Sequence, residues 1–424
     1  MKFVQFARTT TIVIALACIA AVSSQAQDRG HHKVDLSRLV VVGDSLSAGF
    51  QSDSLLDTAQ PHGWAAVVAS QANVPLVLPL IAPPGIPNVL ELVSPGPPPI
   101  IITAPGTSIG RDDIFVQATD LAVPGHLLKD ALTTVPSLPI DDLTDLVLGL
   151  PGLLTGVSLS QTEWAVALQP TTIFVWIGNN DVLGAAAAAD PSLATPVPVF
   201  RSEFQTLMQT LLATGATIVV GNIPDVTMIP FFTPTAVIEA ETGLPISVLE
   251  PILGIAPGDF VTPEGVALIP GILANPSTGP IPPSFVLTKA QAVQIREIVD
   301  AYNGVIQAQA SAVGAVVVDI HRLAHQLRVQ GVQANGETLT NAFLGGLFSL
   351  DGVHPTNTGY AVIANTFIAK LDSRLRADIP PISIDLVAST DPLVPANFGG
   401  DAKGHVDPAT AKSIKALFLH TAPH

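Results

Sequence analysis

"LVVVGDSLSAGF", residues 39–50, holds the reading of the whole chain. Its apolar half, Leu39 to Val42, is short and β-branched and stops at Gly43, as a fully buried strand does. Two serines, Ser45 and Ser47, follow in the turn at its carboxyl end, which is where open α/β sheets place their chemistry. The stretch therefore poses two questions: which serine is a nucleophile, and what activates it.

The rest of the chain supplies the sheet around that strand. "TTIFVWIG" (171–178), "ATIVVGN" (216–222) and "AVVVDIH" (315–321) read as further buried strands. Between them lie helical patterns: "GWAAVVASQA", a run from Arg201, residues 287–314 and residues 357–375. Strands alternating with helices predict an α/β fold with a mainly parallel sheet and helices on both faces. Residues 77–110 and 224–286 break the rhythm. Their prolines forbid long helices and central strands, while their apolar content argues against disorder. Both are expected to be ordered insertions on the carboxyl edge of the sheet. Phe231, Phe232, Ile238, Leu249 and Ile252 must pack on something, so the second is expected either to be a simple packed insertion or to wall an acyl groove beside Ser45. The core domain is placed at 37–378, and residues 379–424 are read as a C-terminal wrap with a short helix near 408–419. No internal repeat is found.

Composition narrows the function. Of 424 residues, 48% are hydrophobic and 12% charged, and the formal charge is −16. Such an acidic chain without a basic stripe is a poor partner for nucleic acid or an anionic surface. "MKFVQFARTT" followed by "TIVIALACIAAV" and a small-x-small site ending at Ala26 predicts a secretory signal over residues 1–26, hence an exported protein. No later segment is long and apolar enough to span a bilayer. Cys18, the single cysteine, falls inside that signal. Its alternative, a lipidated cysteine in "IALAC", has Ala15 where such motifs usually carry Leu. A chain cut after Ala26 has no cysteine for disulfides, nucleophilic attack or metal binding.

Two serines compete for the nucleophile. Ser108 lies in "GTSIG", which matches the G-x-S-x-G elbow letter for letter, but that motif needs a strand before it and a helix straight after. Pro105 precedes the turn, and "RDDIFVQATD" is a poor helix start. Ser45 follows a buried strand; its bland alternative is a helix N-cap. A nucleophilic serine also needs a base and an orienting group. "LFSLDGVHPTNTGY" (347–360) offers both, with Asp351 and His354 three apart before a helix. Donors for a developing oxyanion are available in "FVWIGNNDVLG" (174–184), as an Asn side chain, and in "DLAVPGHLLKD" (120–130), as the N–H of Gly125 in a turn.

These four blocks together resemble the SGNH/GDSL hydrolase family, over roughly residues 38–375. The resemblance implies a three-layer α/β/α sandwich of flavodoxin-like kind and a carboxylic ester hydrolase without cofactor. It implies Ser45 as nucleophile, His354 as base and Asp351 as its orienter. The Ser45 N–H, the Gly125 N–H and the Asn180 side chain would form the oxyanion hole. One departure stands out: the second block often begins with Asn in this family, and here it begins with Asp120. Asp44 and Asp181 read as loop-tying carboxylates, and His126 is a candidate for the pocket rim. His321 and His325 are four apart on a helix but have no third ligand at motif spacing, so they read as helix surface. Three Trp and two Tyr are too few for a broad sugar-binding platform, and the apolar insertions favour an acyl-chain ester. An acyltransferase with the same triad, or a lipid-binding protein that keeps the fold without turnover, are the competing functions.

Overall fold

The computed structural model describes residues 33–96, 99–398 and 404–419; the predicted signal and Cys18 lie outside them. The elements that frame the site are, in chain order, β1 (Leu39–Gly43), α1 (Ser45–Ala48), α2 (Trp64–Gln71), β2 (Thr172–Trp176), α3 (Asn180–Ala187), α4 (Val197–Leu212), β3 (Thr217–Gly221), α5 (Lys289–Val313), β4 (Val316–Val318), α6 (Ile320–Gln330), α7 (Asn357–Leu375) and α8 (Pro408–Phe418).

The four strands form one parallel sheet in the order β1-β2-β3-β4. Residues 119–123 extend it beyond β1: Val41 donates to Thr119, Leu121 to Val41 and Val123 to Gly43. In order of appearance the sheet then runs 2-1-3-4-5, the flavodoxin-like arrangement, and its switch point lies between β1 and β2. Both strands are fully buried, as a sheet covered on two faces requires. On one face Trp64 of α2 stacks on Phe367 of α7 with centroids 3.8 Å apart, above Phe174 and Trp176 of β2. On the other, Phe200 of α4 stacks on Tyr302 of α5 at 3.9 Å.

The two insertions differ. Leu90–Ser94 and Ile100–Thr103 pair antiparallel, and Leu90 joins Phe343, Leu350, Leu393 and Val406 in a small core. The 224–286 segment holds helices Thr235–Thr242, Ile246–Leu253 and Pro263–Ala274 beside a three-stranded ribbon. Ile238, Leu249 and Leu253 pack with Val261, Ile269 and Ile281 in a core of its own, with Ile252 at its margin, while Phe231 and Phe232 belong to the main core. The large apolar residues expected to wall the site are therefore used up in packing. Only the first few residues of the segment reach it.

Asp120 is buried where the 119–123 segment runs beside β1. Burial pushes its carboxyl up to about 8, with the Ala122 N–H as the group pulling it down. An acid whose pKa is raised on folding holds its proton longer in the native than in the unfolded chain, so stability falls as pH rises from about 4 to about 8. Asp120→Asn keeps the acceptor for Ala122 and removes the titration. The melting temperature of the variant relative to the parent should climb by several degrees between pH 5 and pH 8 in thermal scans; a constant difference would show that Asp120 does not titrate there.

Candidate active site

Ser45 is the first residue of α1, a helix of only four residues. Asp44 caps it: its Oδ1 accepts the Leu46 N–H at 3.1 Å, and its Oδ2 accepts the Asn179 amide at 2.8 Å. Burial drives Asp44 up to about 6 against those hydrogen bonds. Asp44 is thus a turn carboxylate joining the ends of β1 and β2. Ser47 is buried, with its Oγ unpartnered among the described residues.

Asp351 and His354 sit in the turn before α7, both fully buried. Asp351 Oδ2 lies 3.0 Å from His354 Nδ1 and also accepts the Asp53 N–H at 2.9 Å; its Oδ1 accepts the N–H groups of Val353 and His354 at 2.8 Å. Burial opposes the charge on this carboxylate. The His354 ring and the backbone N–H donors outweigh it and hold Asp351 below the ordinary range. The Asp53 N–H is aimed by a hairpin turn in which Ser52 and Asp53 both take left-handed backbone, φ 52° and 60°, a strain typical of functional turns. His354 lies against Phe50, centroids 4.7 Å apart, and its Nε2 is buried with no hydrogen-bond partner among the described residues.

Asn180 opens α3 at the end of β2 and donates its amide to the His126 carbonyl at 2.9 Å. That spends one amide hydrogen and leaves the second. Gly125 precedes His126 in a turn at φ +83°. Among the described residues neither the Gly125 N–H nor the Ser45 N–H takes part in a hydrogen bond. Gln161, a residue the sequence reading missed, joins these parts. Its Oε1 accepts the Gly43 N–H at 3.0 Å, and its Nε2 reaches His126 Nδ1 at 2.8 Å. His126 Nε2 then meets Thr144 at 3.1 Å. A donating Gln amide makes Nδ1 the acceptor, so His126 is neutral with its proton on Nε2. It is a buried link that also lines a second cavity beside Asn180.

One cavity of about 810 Å³, mouth included, meets Ser45, His354 and Asn180. Its walls are apolar: Pro224, Val226, Met228 and Ile229 from the start of the second insertion, and Ile320, Leu323, Ala324 and Leu327 from α6. The α6 face has the i, i+3, i+4, i+7 spacing of a buried stripe, and that spacing was the available signal for it. His321 and His325 lie off that stripe. They belong to no group of three potential metal ligands among the described residues; the one such group, Asp141, Asp142 and Asp145, uses Asp145 to accept the N–H groups of Ser137, Asp141 and Asp142. Ser108 sits in a loop with no helix straight after it, the next beginning at Leu128, and it donates to the Ala82 carbonyl at 2.6 Å and accepts from Gly110.

A flavodoxin-like sheet with a serine, a histidine–carboxylate pair and unpaired N–H donors gathered at its switch point defines the class as a carboxylic ester hydrolase. The family is specific: residues 39–367 match the GDSL-like Lipase/Acylhydrolase family, to which the chain belongs. Among solved structures, similar ones include an acetylxylan esterase from Geobacillus stearothermophilus (13% identity, TM-score 0.37, covering 80% of this chain and 96% of that one). Phospholipase A1 from Streptomyces albidoflavus NA297 is another (13%, 0.36, 79% and 100%), as is an α/β hydrolase from the metagenome of Lake Arreo, Spain (13%, 0.37, 80% and 96%). The curated proteins contain no match to this sequence.

Proposed function

We propose that this esterase is exported, guided by its N-terminal segment, and cleaves acyl-chain esters through an acyl-enzyme on Ser45. The observation that supports it most is the buried, unpartnered His354 Nε2, which shares a cavity with Ser45 while Asp351 holds the opposite ring nitrogen. Asp351 fixes the proton on Nδ1, so Nε2 is the base. Ser45 Oγ attacks the ester carbonyl and its proton passes to Nε2. The negative charge formed on the carbonyl oxygen meets the N–H groups of Ser45 and Gly125 and the second Asn180 hydrogen. Collapse breaks the bond to the alcohol, which leaves with the proton from Nε2. Water repeats the sequence to free the acid. Labelling with a fluorophosphonate tests the nucleophile: the adduct is expected on Ser45, and a protein that never reacts there is not a hydrolase of this kind.

The apolar cavity accounts for the acyl chain. Ala324 is the smallest side chain on the α6 face that lines it. Ala324→Phe fills space where methylenes would lie. At about 0.8 kcal/mol per buried CH₂, excluding four of them lowers kcat/KM for an octanoate ester roughly a hundredfold. Acetate should be hydrolysed nearly as before. Equal losses on p-nitrophenyl acetate and octanoate would place the acyl chain elsewhere.

A further inference from the structure

The family match ends at Phe367, yet α8, forty residues further on, stands on the candidate site. A Cβ added to Gly125 would lie 2.7 Å from the Leu417 carbonyl oxygen and 3.0 Å from Leu417 Cδ1. One added to Gly184, in the middle of α3, would lie 3.1 Å from the Phe418 carbonyl oxygen. A glycine inside a helix is unfavourable without a reason, and this close approach is the reason. The Phe418 ring is 6.1 Å from that of His354, on which Phe50 also packs. Ser413 interacts with the Asp53 carboxyl, and the Asp53 N–H holds Asp351.

The helix is anchored rather than draped. Ala411, Ile414 and Phe418 belong to the main core. Lys415 pairs with Glu264 of the second insertion at 2.8 Å and lies over the rings of Phe231 and Phe285. The Gly125 turn is held on its other side by the His126 N–H to Val123, the Asn180 amide on the His126 carbonyl and the His126 ring between Gln161 and Thr144; the contact to Leu417 is made at Gly125 itself.

We infer that α8 is a built-in wall of the active site, and that Leu417 is a positioning residue holding the Gly125 turn so that its N–H faces the oxyanion. This rests on the proposed roles of Ser45 and Gly125. Leu417 touches no reacting atom; it acts by fixing where a donor sits, and a misplacement of about 1 Å can cost on the order of a hundredfold in rate.

The test uses full-length Leu417→Ala, with Leu417→Met as the conservative variant, and full-length Gly184→Ala, whose added Cβ pushes against Phe418 while favouring the helix it sits in. Kinetics are measured per site titrated with fluorophosphonate, on acetate and octanoate esters. Leu417→Ala and Gly184→Ala should lower kcat roughly tenfold or more on both esters with KM within about twofold, since the lost interaction belongs to the transition state. Affinity for an alkyl boronic acid, which forms a tetrahedral adduct, should fall in parallel, and Leu417→Met should restore most of the rate. A lowered melting temperature with unchanged kcat per titrated site would make α8 mere scaffolding and overturn the inference; a raised kcat would make it an inhibitory strap and overturn it as well. If the parent protein neither hydrolyses esters nor labels at Ser45, the proposed function fails first and takes this inference with it.

Discussion

Ser45→Ala should abolish nearly all esterase activity, a loss on the order of 10⁴-fold or more, as when a triad serine is removed elsewhere. The variant should remain as stable as the parent. Ser45 is the first residue of α1, where alanine is well tolerated, and among the described residues its Oγ bonds to no other part of the fold. Ser108→Ala gives the opposite pattern. It deletes the bonds to Ala82 and Gly110, each worth about 1 kcal/mol, and should leave turnover intact. Steady-state rates on p-nitrophenyl butyrate beside thermal melts separate the two. If Ser108→Ala silences the enzyme while Ser45→Ala spares it, the nucleophile is in the G-x-S-x-G loop and the assignment of Ser45 falls.

Asp351→Asn is the second large effect. All four contacts to the carboxylate are N–H donors: His354 Nδ1, Asp53, Val353 and His354 backbone. An amide offers one acceptor oxygen and one NH₂. With the oxygen kept under the Val353 and His354 N–H groups, the NH₂ faces Nδ1 and the Asp53 N–H. The ring then has to place its proton on Nε2, where it can no longer accept the serine proton. Activity should drop roughly 10⁴-fold. The Asp53 N–H also loses its acceptor, at about 1–3 kcal/mol, which amounts to a few degrees of melting temperature in a protein of this size. A large loss of stability with mild loss of rate would make Asp351 a turn residue only.

Much of this was legible in the chain because the deciding features are local. A β-branched run ending in Gly-Asp-Ser announces a buried strand and the turn at its end, and Asp351 and His354 are close enough in sequence for one turn to join them. The alternation of strands and helices over residues 39–375 sufficed for the parallel sheet. What stayed hidden is long-range. The apolar stripe of α6 has the same period whether it packs against a helix or lines a cavity. Gln161 reads as an ordinary polar position in a helix until the fold carries it under Gly43 and His126.

By itself, then, the sequence determined the α/β class, the strand-end placement of Ser45 and Asn180, and the pairing of Asp351 with His354, since period, turn residues and short spacing act within a few residues. Only the tertiary structure decided which apolar surfaces meet. It sends residues 231–286 mostly into a core of their own rather than onto the site, opens the α6 face to the cavity, and seats Leu417 and Phe418 against two glycines. Hydrophobic burial is non-directional: it requires each apolar face to find cover, and which surface covers it is settled by shape and close approach across the whole molecule.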